Sequence, residues 1–206
     1  MTSNGMENNN SQIENVNTSR KAKFKKLLAD GWDLIKFAVI ALIIVIPIRL
    51  FIAQPFVVSG ESMFSTFHDG EYLIVDELSY HLNTPHRGDV VIFRYPLDKK
   101  RFFIKRIIGL PNEEILINNG EIIIMNKENP DGFKLDEPYI NEKFDTTDSF
   151  KTSNDEYFVL GDNRNRSSDS RVWGLLPGKL IIGRAYLRLL PFNEISYLPG
   201  YYQETK

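Results

Sequence analysis

Two side chains in this 206-residue sequence could together carry out acyl transfer. A serine hydroxyl is a poor nucleophile until a neighbouring base takes its proton, and the sequence holds no cysteine to act in its place. Lys105 lies in the run Phe103-Ile104-Lys105-Arg106-Ile107-Ile108-Gly109. In a strand, residues 103, 105 and 107 share one face, so the lysine has Phe103 and Ile107 as neighbours. An amine among apolar groups loses hydration, and burial lowers its pKa from about 10.4 by up to about 3–5 units when complete. A neutral amine near pH 7 is a usable general base. The pattern leaves the reverse open: Lys105 in solvent with Arg106 inward, or an edge strand. Ser62, in Ser59-Gly60-Glu61-Ser62-Met63, falls on a turn after an expected strand, where Oγ could point off the sheet toward that amine. The other role open to it is a turn-capping hydroxyl.

Competing chemistries have weaker support. His68, His81 and His86 are scattered among polar, loop-like residues without an HExxH or similar spacing. They read as solvated side chains rather than zinc ligands or a histidine base. The lack of cysteine excludes a disulfide framework and a thiolate metal site, and leaves the compartment open. With a net charge of −2 and no massing of basic residues over the whole chain, nothing points to nucleic acid. No metal or cofactor is implied.

The length suits one domain plus an appendage. Residues 1–20 are rich in Asn, Ser and Glu, cannot bury enough apolar surface to offset their ordering entropy, and read as a disordered tail. A basic cluster follows (Arg20, Lys21, Lys23, Lys25, Lys26), then an apolar run from Phe37 to Ala53 broken only by Pro47 and Arg49. Counted from Trp32, it approaches the roughly 20 residues needed to cross about 30 Å of hydrocarbon. Lys36 and Arg49 lie where long stems can carry their charges to the headgroups. A buried amphipathic helix and a cleavable signal peptide are the alternatives, but Phe51 to Phe56 offers a poor cut site. The positive cluster before the span places the N-terminus in the cytoplasm and everything after about residue 55 outside. The expected organisation is a cytoplasmic tail over 1–31, a transmembrane anchor helix over 32–54 and an extracytoplasmic domain over 55–206.

Beyond residue 55 short β-branched runs alternate with turn residues, which predicts strands at Phe56–Ser59, Tyr72–Val75, Asp89–Tyr95, Phe102–Leu110, Glu114–Ile117, Glu121–Met125, Tyr157–Leu160 and Leu180–Leu189. Asn118-Asn119-Gly120 between two apolar runs is a hairpin signal. The polar stretch from about Asn126 to Asp155 reads as an irregular insertion. The expected fold class is mostly β: a coiled antiparallel sheet carrying the site, with a cap-like insertion over about 112–156 and an N-terminal transmembrane helix.

Each chemical segment is weak alone. Together and in order, Ser62-Met63, Arg87-Gly88-Asp89-Val90-Val91, Ile104-Lys105-Arg106-Ile107-Ile108-Gly109-Leu110-Pro111 and Gly161-Asp162-Asn163-Arg164 with the downstream Asp169-Ser170-Arg171 resemble the bacterial type I signal peptidases over roughly residues 30 to 192. The resemblance implies a membrane-bound Ser/Lys serine endopeptidase that cuts signal peptides from exported preproteins, in the bacterial cytoplasmic membrane. It makes Ser62 the acylating nucleophile, Lys105 the general base and Ser167 the group that orients the amine. Asp169 and Arg171 become a structural ion pair, and Asp162, Asn163 and Arg164 shape the turn beneath the site. Phe56, Val58 and Met63 are implied in substrate binding. The segment before the cut would add as a strand near Phe56–Ser59, with pockets for small residues such as Ala at the first and third positions.

Two departures from the family pattern stand out. Ser65 and Phe67 occupy places where members usually have Pro and Leu. Gly60 stands where some members carry a hydroxyl that helps hold the oxyanion, leaving the Ser62 N–H as the expected donor, with a second one unidentified. Another Ser/Lys hydrolase, such as a self-cleaving repressor or a pilin-maturation peptidase, is the first rival reading. A catalytically silent, membrane-tethered β module that binds preproteins or lipids is the other. Lipid is an expected partner and nucleic acid is not.

Overall fold

The computed structural model describes residues 31–32, 34–46, 53–140, 142 and 144–202. The chain divides into two compact units, residues 1–49 and 50–206. In the first, residues 34–46 are helical (α1), and its apolar side chains, among them Leu34, Phe37, Ile40 and Ile43, are exposed. Among the described residues no helix is long and apolar enough to cross a membrane. Residues 1–30 of the expected tail, the basic cluster among them, and residues 33 and 47–52 of the expected span lie outside the described residues.

The second unit is built on two antiparallel sheets. The larger runs in the order β1 (Ala53–Val57), β2 (Tyr72–Asp76), β11 (Ile181–Leu190), β3 (Val90–Tyr95), β4 (Asp98–Gly109), β9 (Glu156–Leu160), β10 (Leu176–Pro177), with β12 (Ser196–Tyr197) also on β11. The smaller runs β7 (Phe133–Lys134), β6 (Glu121–Met125), β5 (Glu114–Asn118), β8 (Asp148–Lys151). Two short helices, α2 (Ser79–Leu82) and α3 (Ser170–Trp173), lie between strands.

The predicted hairpin is present. Asn118 pairs with Glu121, and Asn119 and Gly120 both have positive φ (48° and 79°), the backbone of a two-residue reversal that matches the strand twist. The insertion is more regular than its polarity suggests. Its apolar residues alternate, so Ile115, Ile117, Ile122 and Ile124, none more than 1% exposed, point one way into a core with Ile108, Phe158 and Leu160. Each such side chain contributes about 1.5–3 kcal/mol by burial, enough to hold the two-residue and four-residue edge strands β7 and β8 that their own sequences do not announce. The first predicted strand begins three residues earlier than expected and ends at Val57, so Val58 and Ser59 already belong to the turn.

β4 is the strand that positions the chemistry. Its first part pairs with β3, whereas β9 pairs with it only from Arg106 onward. From Lys105 to Gly109 every residue is buried; from Arg106 onward the strand has neighbours on both edges, and it has cores on both faces. Lys105 (3% exposed) and Arg106 (0%) are both buried, on opposite faces: Arg106 is inward without Lys105 being turned to solvent, and at Lys105 the strand is an edge with β3 alone beside it.

Candidate active site

Val58, Met63 and Phe67 are buried with Leu73, Val90 and Ile92 in one core, and this pins the turn that carries Ser62. Two backbone bonds, Phe64 N–H to Glu61 O (3.1 Å) and Phe67 N–H to Met63 O (2.8 Å), close it. Phe67, where the sequence departs from the family pattern, is a fully buried ring. Met63, 1% exposed, fills the core and does not line the groove beside Ser62, contrary to the role the resemblance implied; Phe56 and Val58 do line it.

Lys105 Nζ stands 2.7 Å from Ser62 Oγ and donates to the Ile104 carbonyl at 2.9 Å. The Phe103 ring centroid is 5.3 Å from the amine. Burial pushes the pKa down from 10.5 to about 8, against the pull of the Asp169 and Asp162 carboxylates, which favour the ammonium. A large share of the amine is therefore neutral at mildly alkaline pH. When Nζ is neutral its lone pair accepts from the Ser62 O–H, which is the geometry a general base needs.

The segment 161–171 closes the site from below. Asn163 N–H donates to the Ser62 carbonyl (3.0 Å) and Asn163 Nδ2 to the Glu61 carbonyl (3.0 Å). Asp169 is fully buried, caps α3, receives the Gly161 N–H (3.1 Å) and pairs with Arg171 at 2.8 Å. Arg164 is held by Glu137. Ser167 Oγ is buried with no hydrogen-bond partner among the described residues; the amine's bonds go to Ser62 and Ile104 instead. A Cβ at Gly161 would collide with both Ser167 Oγ and the Ser62 carbonyl, so only glycine lets these chains meet. Gly161→Ala is expected to lower turnover more than tenfold at a stability cost of about 1–3 kcal/mol. A stable Gly161→Ala protein with the wild-type rate, in a thermal melt and a peptide assay run side by side, would remove the reason for this glycine.

Arg106 and Thr66 were not singled out by the sequence. Arg106 Nε and Nη2 reach Asp162 Oδ1 and Oδ2 at 2.8 and 2.6 Å, and Thr66 Oγ1 donates to Asp162 Oδ2 at 2.5 Å. The only signal was a second cation inside an apolar strand. The Gly60 N–H is engaged by Asp69 Oδ1 at 2.7 Å and cannot also serve an oxyanion.

Above these residues runs a groove of about 550 Å³ lined by Phe56, Val58, Ser62, Leu73, Ile104 and Lys105 among others. Its walls are two unpaired strand edges. Among the described residues β1 pairs only with β2, and β4 before Arg106 pairs only with β3. The Phe56 and Phe102 rings meet across it at 5.5 Å.

One group of possible metal ligands occurs among the described residues: His68, Glu71 and Glu194 have ligand atoms within 4.8 Å of one another. The Arg188 guanidinium already lies 3.0 Å from Glu71 and 3.1 Å from Glu194. It supplies there the positive charge a cation would bring. His68 and His86 have side chains 52% and 73% exposed, in line with the solvated reading; the His81 side chain lies outside the description.

An open strand edge beside a hydroxyl and a buried amine is the layout of a β-sheet peptidase. The signal peptidase, peptidase S26, family profile matches residues 31–190. A probable signal peptidase I-1 of Synechocystis sp. is 36% identical over 182 residues, covering 82% of this chain and 90% of that one. The signal peptidase I of Leptolyngbya laminosa is 37% identical over 173 residues (80% and 82%), and that of Bacillus amyloliquefaciens 37% over 175 (79% and 90%). The chain belongs to the signal peptidase family and is a type I signal peptidase, a serine endopeptidase.

Proposed function

We propose that this enzyme cleaves the signal peptides of exported preproteins with Ser62 as nucleophile and Lys105 as general base. The observation that carries the reading is the 2.7 Å separation of Ser62 Oγ from an amine whose pKa burial has lowered to about 8. Neutral Lys105 takes the hydroxyl proton as Oγ attacks the scissile carbonyl. The resulting ammonium gives a proton to the departing amine as the C–N bond breaks. The acyl-enzyme is then hydrolysed by a water that the amine deprotonates. The Ser62 N–H, with no partner among the described residues, is available to the oxyanion, and one such donor is worth about 2.7–4 kcal/mol.

The substrate's extended segment fits between the free edges of β1 and β4, adding main-chain bonds on both sides. Phe56 faces Phe102 while Ser62 meets Lys105, so the two walls run in the same direction. A peptide entering at the Ala53 end reaches the nucleophile after a few residues. Small residues are expected next to the cut, where Val58 and Ile104 line the groove beside Ser62.

The anchor belongs to the same reading. The exposed apolar side chains of residues 34–46 and the basic cluster before them support a membrane helix that starts near residue 32 and ends before β1 begins at Ala53, two residues short of the expected bound, with tail inside and the peptidase domain outside. The test of function uses the full chain in detergent with a preprotein carrying an Ala-x-Ala site. Cleavage after the second Ala, absent in Ser62→Ala, is expected. Wild-type turnover by a folded Ser62→Ala protein would assign the nucleophile elsewhere.

A further inference from the structure

The tip of the β3–β4 hairpin carries charge that, Arg101 apart, lies outside the lining of the groove. Residues 94–101 hold four basic side chains, Arg94, Lys99, Lys100 and Arg101, against one carboxylate, Asp98, a local net of +3 in a chain whose net is −2. All five are exposed. Arg94 and Arg101 lie along the Phe102 and Phe103 rings (5.0 and 5.2 Å). Lys99 and Lys100 have no ion-pair partner among the described residues. At the turn itself Leu97 is 72% exposed. A leucine projecting from a ring of cations is the combination that seats at a bilayer interface, the apolar tip among the acyl chains and the cations at the headgroups.

The hairpin's place in the fold says what it meets. β1 and β4 run in the same direction, and Phe56 touches Phe102. Ala53, three residues before Phe56, and Lys99, three before Phe102, therefore stand at one end of the groove. That is the end at which the chain arrives from the apolar segment, hence the end nearest the bilayer if the anchor reading holds, on which this inference rests.

We propose that the β3–β4 tip, through Leu97, Lys99, Lys100 and Arg94, docks on anionic lipid headgroups and holds the groove's entrance against the membrane surface. A preprotein leaving the bilayer would then enter between β1 and β4 without crossing open water. Each Lys or Arg close to an anionic surface shifts such an equilibrium by about a factor of five, so two lysines are worth about thirtyfold.

The chain contains no cysteine, so Leu97→Cys can be labelled uniquely with an apolar, environment-sensitive fluorophore; Asn129→Cys, on an exposed turn of the insertion, is the reference. The full chain is reconstituted in vesicles of phosphatidylcholine with or without phosphatidylglycerol, and quenching by headgroup-labelled lipid is read. Expected is strong quenching at 97 and not at 129, only with the anionic lipid, weakened by salt. Lys99→Gln/Lys100→Gln should lower the docked-to-undocked ratio about thirtyfold while leaving cleavage of a short soluble peptide in detergent unchanged. Equal quenching at 97 in both vesicle types, or no effect of the double substitution, overturns the docking. So does loss of soluble-peptide cleavage, which would give these lysines to the substrate. Flotation separates the two readings: a chain that does not float with vesicles defeats the anchor, whereas one that floats unquenched defeats the docking alone.

Discussion

Lys105→Met is expected to abolish cleavage and at the same time to make the protein more stable at neutral pH. Methionine matches the lysine stem in length and offers no base, so Ser62 keeps its proton. Removal of a nucleophile or its base in serine proteases costs on the order of 10⁴-fold or more in kcat. The stability gain has a separate origin. Burial lowers the amine from 10.5 to about 8, and each unit is about 1.36 kcal/mol, so at pH 7 the fold carries an ammonium at a cost of ~3 kcal/mol. The lost bonds to Ser62 and Ile104 return about 1 kcal/mol each, leaving a gain of about 1 kcal/mol. Urea unfolding at pH 7 reads it. A Lys105→Met protein less stable than wild type, or one that retains a few per cent of the turnover, would remove Lys105 from the role of buried base.

The pH dependence follows with a definite sign. Turnover should rise with pH through about 8 as the native amine deprotonates. Between about 8 and 10.5 the unfolded chain holds a proton on Lys105 that the native chain has lost, so the unfolded state binds more protons and stability increases with pH across that window. Below 8 both states are protonated and the native state bears the full cost. Lys105→Arg should be inactive at every pH, because a guanidinium does not deprotonate in proteins. A profile that climbs only above pH 10 would mean the working base is unperturbed.

Ser62 and Lys105 were legible as a possible pair, but the geometry that brings them together was not. Forty-three residues separate them, and only the coiling of the large sheet, which brings β1 to face β4, closes that gap. The strands were legible where apolar residues recur with turn residues between them. The edges β7 and β8 were not, since Phe133-Lys134 and Asp148-Ser149-Phe150-Lys151 acquire extended structure from the β5–β6 hairpin they join. Met63 shows the limit of transferring roles along a motif: it adjoins Ser62 in sequence, yet on a tight turn the Met63 side chain is carried into the core while Ser62 lines the groove. Arg106 was hidden for the opposite reason. Charge usually marks a solvent face, so a cation in a strand buried on both sides is visible only once its partner Asp162, 56 residues on, is seen.

That pair yields the second large effect. Arg106 and Asp162 are both 0% exposed, and Arg106 also donates to the carbonyls of Gly88 (2.9 Å) and Gly200. Removing one partner of a buried pair leaves an uncompensated charge and costs about 3–5 kcal/mol. Asp162→Asn should therefore lower the melting temperature by about 10 °C, given roughly 2–4 °C per kcal/mol for a domain of this size. It should also slow catalysis below the melt. Asp162 fixes the start of the turn whose next residue, Asn163, holds the Ser62 carbonyl at 3.0 Å, and it receives the Thr66 hydroxyl from the far end of the Ser62 turn. The double substitution Arg106→Met/Asp162→Leu removes both charges and should be less destabilised than Asp162→Asn alone, because no lone ion remains in the core. It should still be slow, since neither side chain can then tie the two turns together. Melts of the two proteins, with peptide turnover measured at a temperature where both are folded, separate the electrostatic part from the positioning part. A melting point for Asp162→Asn within 2 °C of wild type would show that solvent reaches the pair and that it does not brace the site.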